Sequence, residues 1–229
     1  LKYSSCSGGT SNATVTVEDK VKPNVITKSI TVYLDGTGNA TIVDNAVNNG
    51  SSDNCTPQAN LIFETNIKSF TCSNIGANTV VLKVTDGSGN TASASATVTI
   101  RDNLAPTANC KNISVYLGTN GQVTIAAADV NNNSTDNCTS PAQLGLSINR
   151  TTFNSDDLGS DCLKAFNVTL TVTDGSGNSS TCTSSVTLKR RITKLVYNRA
   201  VQGEYSDPLN LSATLYDIND GWPGTVLAN

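Results

Sequence analysis

The sequence predicts an all-β protein assembled from repeated β-sandwiches. Two observations carry that reading. Apolar and polar residues alternate with period two over most of the chain, broken by clusters of Gly, Asn, Asp and Ser at strand-length intervals. In addition, Val84-Thr-Asp-Gly-Ser-Gly-Asn90 returns letter for letter as Val172-Thr-Asp-Gly-Ser-Gly-Asn178. Each copy stands between an apolar alternating run and a Ser/Thr-rich one, which is the pattern of a β-hairpin. Glycines supply positive φ in the turn, and Asp and Asn bond their own backbone. A repeat of this length points to a modular chain.

Taken in order, residues 1–19 read as the last strand of an earlier repeat. Thr14-Val-Thr-Val-Glu-Asp19 matches Thr97-Val-Thr-Ile-Arg-Asp102, and each is followed four residues after its Asp by a proline, Pro23 and Pro106. Residues 20–102 form repeat A: an extended segment over 25–34, a turn at Asp35-Gly-Thr-Gly38 and a short strand over 40–43. An Asx-rich loop then runs to Cys55, followed by strands over 61–64, 80–85 and 91–100. Residues 103–189 form repeat B and retrace this plan. Ile113-Ser-Val-Tyr-Leu117 parallels Ile30-Thr-Val-Tyr-Leu34, and Ser134-Thr-Asp-Asn-Cys-Thr139 parallels Ser51-Ser-Asp-Asn-Cys-Thr56. No stretch of helical period is long enough to compete. Each repeat, at about 85 residues, can bury its own core if covalently helped. From residue 190 the pattern changes, and 190–229 reads as an incomplete further β domain.

Composition narrows the function. A net charge of −3 over 229 residues gives no case for nucleic acid or an anionic membrane as partner. No apolar run approaches the roughly 20 residues that span a bilayer, so membrane insertion is not expected. No signal peptide opens the sequence, as expected of a mature protein or an excised fragment. Histidine is absent, which removes the commonest general base and metal ligand. Without it, and without a Gly-x-Ser-x-Gly elbow, a nucleophilic triad is unsupported, and the chain reads as a non-enzyme.

Seven cysteines remain to be explained, none in Cys-x-x-Cys spacing. Disulfides in an oxidising, extracellular setting explain them better than buried free thiols. Cys55 and Cys72 of repeat A align with Cys138 and Cys162 of repeat B. Repeat B adds Cys110 and Cys182 where repeat A has Thr27 and Ala94. Pairs present or absent together give Cys55–Cys72, Cys138–Cys162 and Cys110–Cys182, each stabilising by about 2–4 kcal/mol. Cys6 is left for a partner upstream.

The combination of Asp-Asn-Cys, Val-Thr-Asp-Gly-Ser-Gly-Asn and Asp102-Asn-Leu-Ala-Pro106 at these intervals resembles hyalin repeats, over about residues 20–189. In tandem and rich in Asn, Ser and Thr, the chain is similar to giant cell-surface adhesins of gliding Bacteroidota. Its last segment, with Tyr205-Ser-Asp-Pro208 and Leu211-Ser-Ala-Thr-Leu215, resembles bacterial Ig-like repeats. The resemblance implies tandem immunoglobulin-like β-sandwiches arranged end to end, an extracellular location and a role in adhesion. Repeat A departs from repeat B in lacking the Cys110–Cys182 equivalent.

In such a sandwich the B–C and F–G loops share one end with the start of the first strand. Three acidic clusters of each repeat then converge there. In repeat A these are Asp19, then Asp44 with Asp53 and Asn54, then Asp86 with Asn90. In repeat B they are Asp102 with Asn103, then Asp129 with Asp136 and Asn137, then Asp174 with Asn178. Carboxylates gathered at one point repel unless a cation neutralises them, and Ca2+ takes six to eight oxygen ligands of this kind. Taken singly, each acid is an ordinary turn residue; only the convergence points to calcium.

Two readings of function follow. One is a structural stalk whose partners are neighbouring repeats of the same chain, each repeat supplying length and stiffness. The other is a ligand-binding module for a surface polysaccharide or protein, with Trp222 in Asp220-Gly-Trp-Pro223 as its sugar-stacking candidate. Aromatics make up only 5% of the chain, which favours the stalk. Side-by-side assembly into a filament is left open by the exposed strand edges.

Overall fold

The computed structural model describes residues 15–191 and the backbone of two further strands, 193–197 and 213–217. The chain divides into two compact units, Leu1–Asp102 and Asn103–Asn229.

The first unit contains β1 (Ile30–Tyr33), β2 (Asn39–Thr41), β3 (Ile62–Thr65), β4 (Ser69–Thr71), β5 (Gly76–Thr85) and β6 (Thr91–Arg101). One sheet runs β1-β6-β5-β3 and faces a smaller one, β2-β4. β5 and β6 are the arms of the Asp-Gly-Ser-Gly-Asn hairpin, antiparallel in register from Gly76↔Ile100 to Thr85↔Thr91. β1 joins β6 in parallel, Ile30 against Val98 and Val32 against Ile100. Alternation decides the faces. Val80, Leu82 and Val84 of β5 and Ala96, Val98 and Ile100 of β6 are buried, while Thr79, Lys83, Ser95 and Thr97 between them face outward. Phe70 of the smaller sheet is the largest side chain fully buried in this unit.

The second unit repeats the plan with β7 (Ile113–Tyr116), β8 (Gln122–Thr124), α1 (Ala127–Val130), β9 (Gly145–Ile148), β10 (Thr152–Asn154), α2 (Ser155–Leu158), β11 (Leu163–Thr173) and β12 (Ser179–Lys189). Its sheets are β7-β12-β11-β9 and β10-β8, with β7 again parallel to β12. Phe153, Leu158, Val168, Leu170, Val186 and Leu188 anchor one continuous core. Beyond it, β13 (Thr193–Tyr197) and β14 (Ala213–Asp217) pair antiparallel. The fold is all-β, as the alternation predicts, and the two α-helices among the described residues are single turns of four residues.

Cysteine is where the structure departs most from expectation. Cys110–Cys182 forms, with Cα atoms 5.9 Å apart. Cys55–Cys72 and Cys138–Cys162 do not: Cys55 and Cys162 are exposed free thiols, and Cys72 and Cys138 are bonded, but not to these partners. The reason is distance. Cys72 opens the 3-10 turn that leads into β5, whereas Thr56, next to Cys55, takes a hydrogen bond from Gly87 beyond the other end of β5. Ten strand residues separate these ends by about 30 Å, and a disulfide needs Cα atoms within about 7 Å. Repeat B repeats the geometry, with Cys162 before β11 and Thr139 bonded to Gly175 beyond it.

The alignment of Cys72 with Cys162 was also misplaced. β2 meets β4 as Asn39↔Thr71 and Ala40↔Phe70, and β8 meets β10 as Gln122↔Asn154 and Val123↔Phe153. Phe70 therefore corresponds to Phe153, and Cys72 to Ser155. Cys162 belongs to an extension of repeat B that follows this position.

Candidate metal centre

Asp19, Asp53 and Asp86 come from an extended segment, a loop and a hairpin turn of the first unit, and their carboxylate oxygens lie within 4.8 Å of one another. Each is placed by local chemistry. Asp86 Oδ1 accepts from the amides of Ser88 (2.9 Å) and Asn90 (2.8 Å), the Asx-turn that closes the β5–β6 hairpin. Gly89 completes that turn at φ 88°. Asn90 Nδ2 donates to Asp86 Oδ2 at 2.8 Å and to the Asp19 carbonyl at 3.0 Å, which draws the incoming segment to the turn. Asp53 Oδ2 accepts from the amides of Cys55 (3.0 Å) and Thr56 (2.9 Å). These N–H groups, Cys55 first, hold the Asp53 carboxyl below the usual range.

Asp102, Asp136 and Asp174 form a second triplet, their carboxylate oxygens likewise within 4.8 Å of one another. The supporting bonds recur: Asp174 Oδ1 with the amides of Ser176 and Asn178, and Asp136 Oδ2 with those of Cys138 and Thr139. Asp86, Asp102 and Asp174 are buried.

Two threonines missed by the sequence reading lock these loops. Thr56 Oγ1 accepts from the Gly87 amide and Thr139 Oγ1 from the Gly175 amide, each at 2.9 Å, tying the Asp53 and Asp136 loops to their hairpin turns. A Cβ at either glycine would sit 3.3 Å from that hydroxyl. The signal was present: both threonines follow the shared Asp-Asn-Cys.

Other expected ligands lie elsewhere. Asp44 pairs with Lys68 Nζ at 2.8 Å and accepts from the Thr65 amide at 3.0 Å, which lowers its pKa, Lys68 contributing most. Asp129 accepts from the Ala126 amide at 2.7 Å at the start of α1 and is exposed. Asn103 is exposed next to Asp102 in the chain. Cys6 and Trp222 lie outside the described residues.

The donor set fits a hard cation. Two oxygens on one Ca2+ lie at most about 5 Å apart, twice the Ca–O distance, and the carboxylate oxygens of each triplet fall within that span. More telling, Asp19 Oδ2, Asp53 Oδ1 and Asp136 Oδ1 are buried with no hydrogen-bond partner. Buried carboxylate oxygens without donors are rare in folded proteins and call for an ion or water.

No family model and no curated protein matches this sequence. Solved structures that resemble it are cadherin extracellular domains. Drosophila N-cadherin EC1-4 aligns over 76% of this chain and 50% of its own at 10% identity and TM-score 0.45, so this chain spans half of that structure's length. Human protocadherin-24 EC1-2 aligns over 75% and 100% at 10% identity and TM-score 0.42. Mouse cadherin-23 EC22-24 aligns over 85% and 78% at 12% identity and TM-score 0.41. At such identities the likeness concerns the fold alone.

Proposed function

We propose that this chain is a non-enzymatic stalk segment of an extracellular repeat adhesin, in which each of the two aspartate triplets holds a calcium ion. One observation carries the reading: two sequence-related repeats each gather three carboxylates from separate parts of the chain and leave buried oxygens of Asp19, Asp53 and Asp136 without donors. Calcium supplies the positive charge that offsets this repulsion, and in doing so fastens the segment leading into each repeat to its loops. The Cys110–Cys182 disulfide supports an oxidising location. The hyalin-repeat resemblance supports a bacterial cell-surface setting, with neighbouring repeats as the immediate partners and the surface ligand bound elsewhere.

Calorimetric titration of calcium tests this. Two ions per chain are expected, falling to one in Asp86→Asn or Asp174→Asn. At a calcium concentration one hundred times Kd, mass action stabilises a site by about 2.7 kcal/mol, a rise in Tm of about 10–20 °C for domains of this size. A melting curve indifferent to EDTA removes calcium and leaves a disulfide-stabilised spacer.

A further inference from the structure

Residues 15–18 are out of keeping with the rest of the molecule. Val15 is 81% and Val17 90% exposed, the two most exposed large apolar side chains among the described residues. Their sequence has two counterparts in the chain. Thr14-Val-Thr-Val-Glu-Asp19 aligns with Thr97-Val-Thr-Ile-Arg-Asp102 and with Ser185-Val-Thr-Leu-Lys-Arg190. In those counterparts the apolar pair, Val98 with Ile100 and Val186 with Leu188, is 0% exposed. The same alternation is thus buried twice and bare once.

What covers the buried copies is established at both places. Val98 and Ile100 lie in β6 between β5, antiparallel, and β1, parallel, opposite Ile30 and Val32. Val186 and Leu188 lie in β12 between β11 and β7, opposite Ile113 and Val115. Either strand serves as the second position of a four-stranded sheet and contributes its apolar face to a sandwich core. Residues 15–18 have the same period, and Asp19 beyond them is held as part of the first aspartate triplet, as Asp102 beyond β6 is part of the second. No strand pairs with residues 15–18 among the described residues.

We infer that residues 15–18 are the closing strand of another sandwich of the same kind, seated between a β5-type and a β1-type strand of a repeat that precedes repeat A in the chain. This rests on the tandem-repeat reading and adds to it how the repeats are joined. The last strand of one repeat runs without a linker into the aspartate of the next, so a repeat cannot lose its closing strand without disturbing the following metal site.

The experiment is a graft. Setting Asp19 on Asp102 places Gly8 on Thr91, so residues 20–90 are inserted directly ahead of Gly8 in the full chain, and residues 8–18 then stand where β6 would be. Amide hydrogen exchange is followed in EDTA, which removes any dependence on calcium. The Val15 and Val17 amides, expected to exchange freely in the parent, should slow on the order of 100-fold as they join a cooperatively opening sheet. The double substitution V15D/V17D is expected to abolish that protection and unfold the grafted segment, while leaving residues 20–191 as they were. A control graft carries residues 20–102, with the closing strand of repeat A itself. If the control folds and Val15 and Val17 still exchange as in the parent, the inference is overturned. If the control fails as well, the tandem-repeat reading falls and the inference with it.

Discussion

Repeats A and B hold their first segment against their last strand by different means. In repeat B, β12 presents Ser180, Cys182 and Ser184 to that segment. Ser180 Oγ bonds the Pro106 carbonyl, Cys182 bonds Cys110, and Ser184 Oγ donates to the Lys111 carbonyl at 2.7 Å. At the matching positions β6 of repeat A carries Ala92, Ala94 and Ala96, which offer nothing. There the tie runs the other way, with Thr27 Oγ1 donating to the Ser95 carbonyl at 2.8 Å. What surrounds the tie is common to both: parallel pairing of the first strand, isolated bridges Thr27↔Asn48 and Cys110↔Asn131, and the buried hydroxyls of Ser51 and Ser134 beneath the segment. The fold therefore closes with or without the disulfide. The bridge adds stability to a topology already specified by strand register and hydrogen bonds.

Moving the bridge tests this most strongly. Cys110–Cys182 closes a sequence separation of 72 residues. Chain entropy then puts its contribution at about 4 kcal/mol, chiefly through the unfolded state. Cys110→Ala with Cys182→Ala is expected to destabilise repeat B by about that much, seen as faster exchange of the β7, β11 and β12 amides, with repeat A unchanged. The reciprocal Thr27→Cys with Ala94→Cys is expected to stabilise repeat A by about 2–4 kcal/mol. A loss well under 1 kcal/mol in the first variant would mean that Ser180 and Ser184 already hold the segment and the disulfide is redundant.

The hydroxyls come next in size. Ser184 is fully buried, so Ser184→Ala strands the Lys111 carbonyl away from water and is expected to cost about 1–2 kcal/mol. Thr27 is more exposed, and Thr27→Val is expected to cost about 0.5–1 kcal/mol in repeat A, because water replaces the lost donor. Denaturant melts of the two variants rank them. Equal costs would show that burial does not distinguish the two ties.

Much of this was legible in the sequence because it is local. The hairpins follow from Asp-Gly-Ser-Gly-Asn, the faces of β5 and β6 from alternation, and the Asp53, Asp86, Asp136 and Asp174 turns from Asx chemistry within five residues. What escaped depends on partners far along the chain. Nothing near Asp44 announces Lys68, which it meets because Thr41↔Ser69 ends the β2–β4 pairing just before both. Cys55 and Cys72 look like a natural pair until β5 is seen to run between them. The Ser/Ala contrast between β12 and β6 was visible as letters, but acquired meaning only once the parallel first strand lay alongside.

The smallest difference between the repeats concerns the turn after the smaller sheet. In repeat A, Thr71 and Asn74 form a neutral cap, the Thr71 amide donating to Asn74 Oδ1 at 2.9 Å. Repeat B has Asn154 and Asp157 in the same places, with reciprocal bonds from the Asp157 amide to Asn154 Oδ1 (3.2 Å) and from the Asn154 amide to Asp157 Oδ2 (2.8 Å). Arg150, whose guanidinium lies 4.2 Å from the centre of the Phe153 ring, also reaches Asp157 Oδ2. Arg150 first, and then the Asn154 amide, hold the Asp157 carboxyl below its ordinary range. A carboxyl depressed in the folded state contributes stability that is fully present above the ordinary aspartate pKa and is lost as pH falls through the depressed value. Because the pair is partly exposed, about 0.5–1 kcal/mol is at stake. Asp157→Asn, which copies repeat A, is therefore expected to lower repeat B stability by that amount at pH 7 and to converge with wild type once the pH has fallen through the depressed value, as the wild-type carboxyl protonates. Two curves that stay parallel down to that pH would show that the cap acts through its shape and not through its charge.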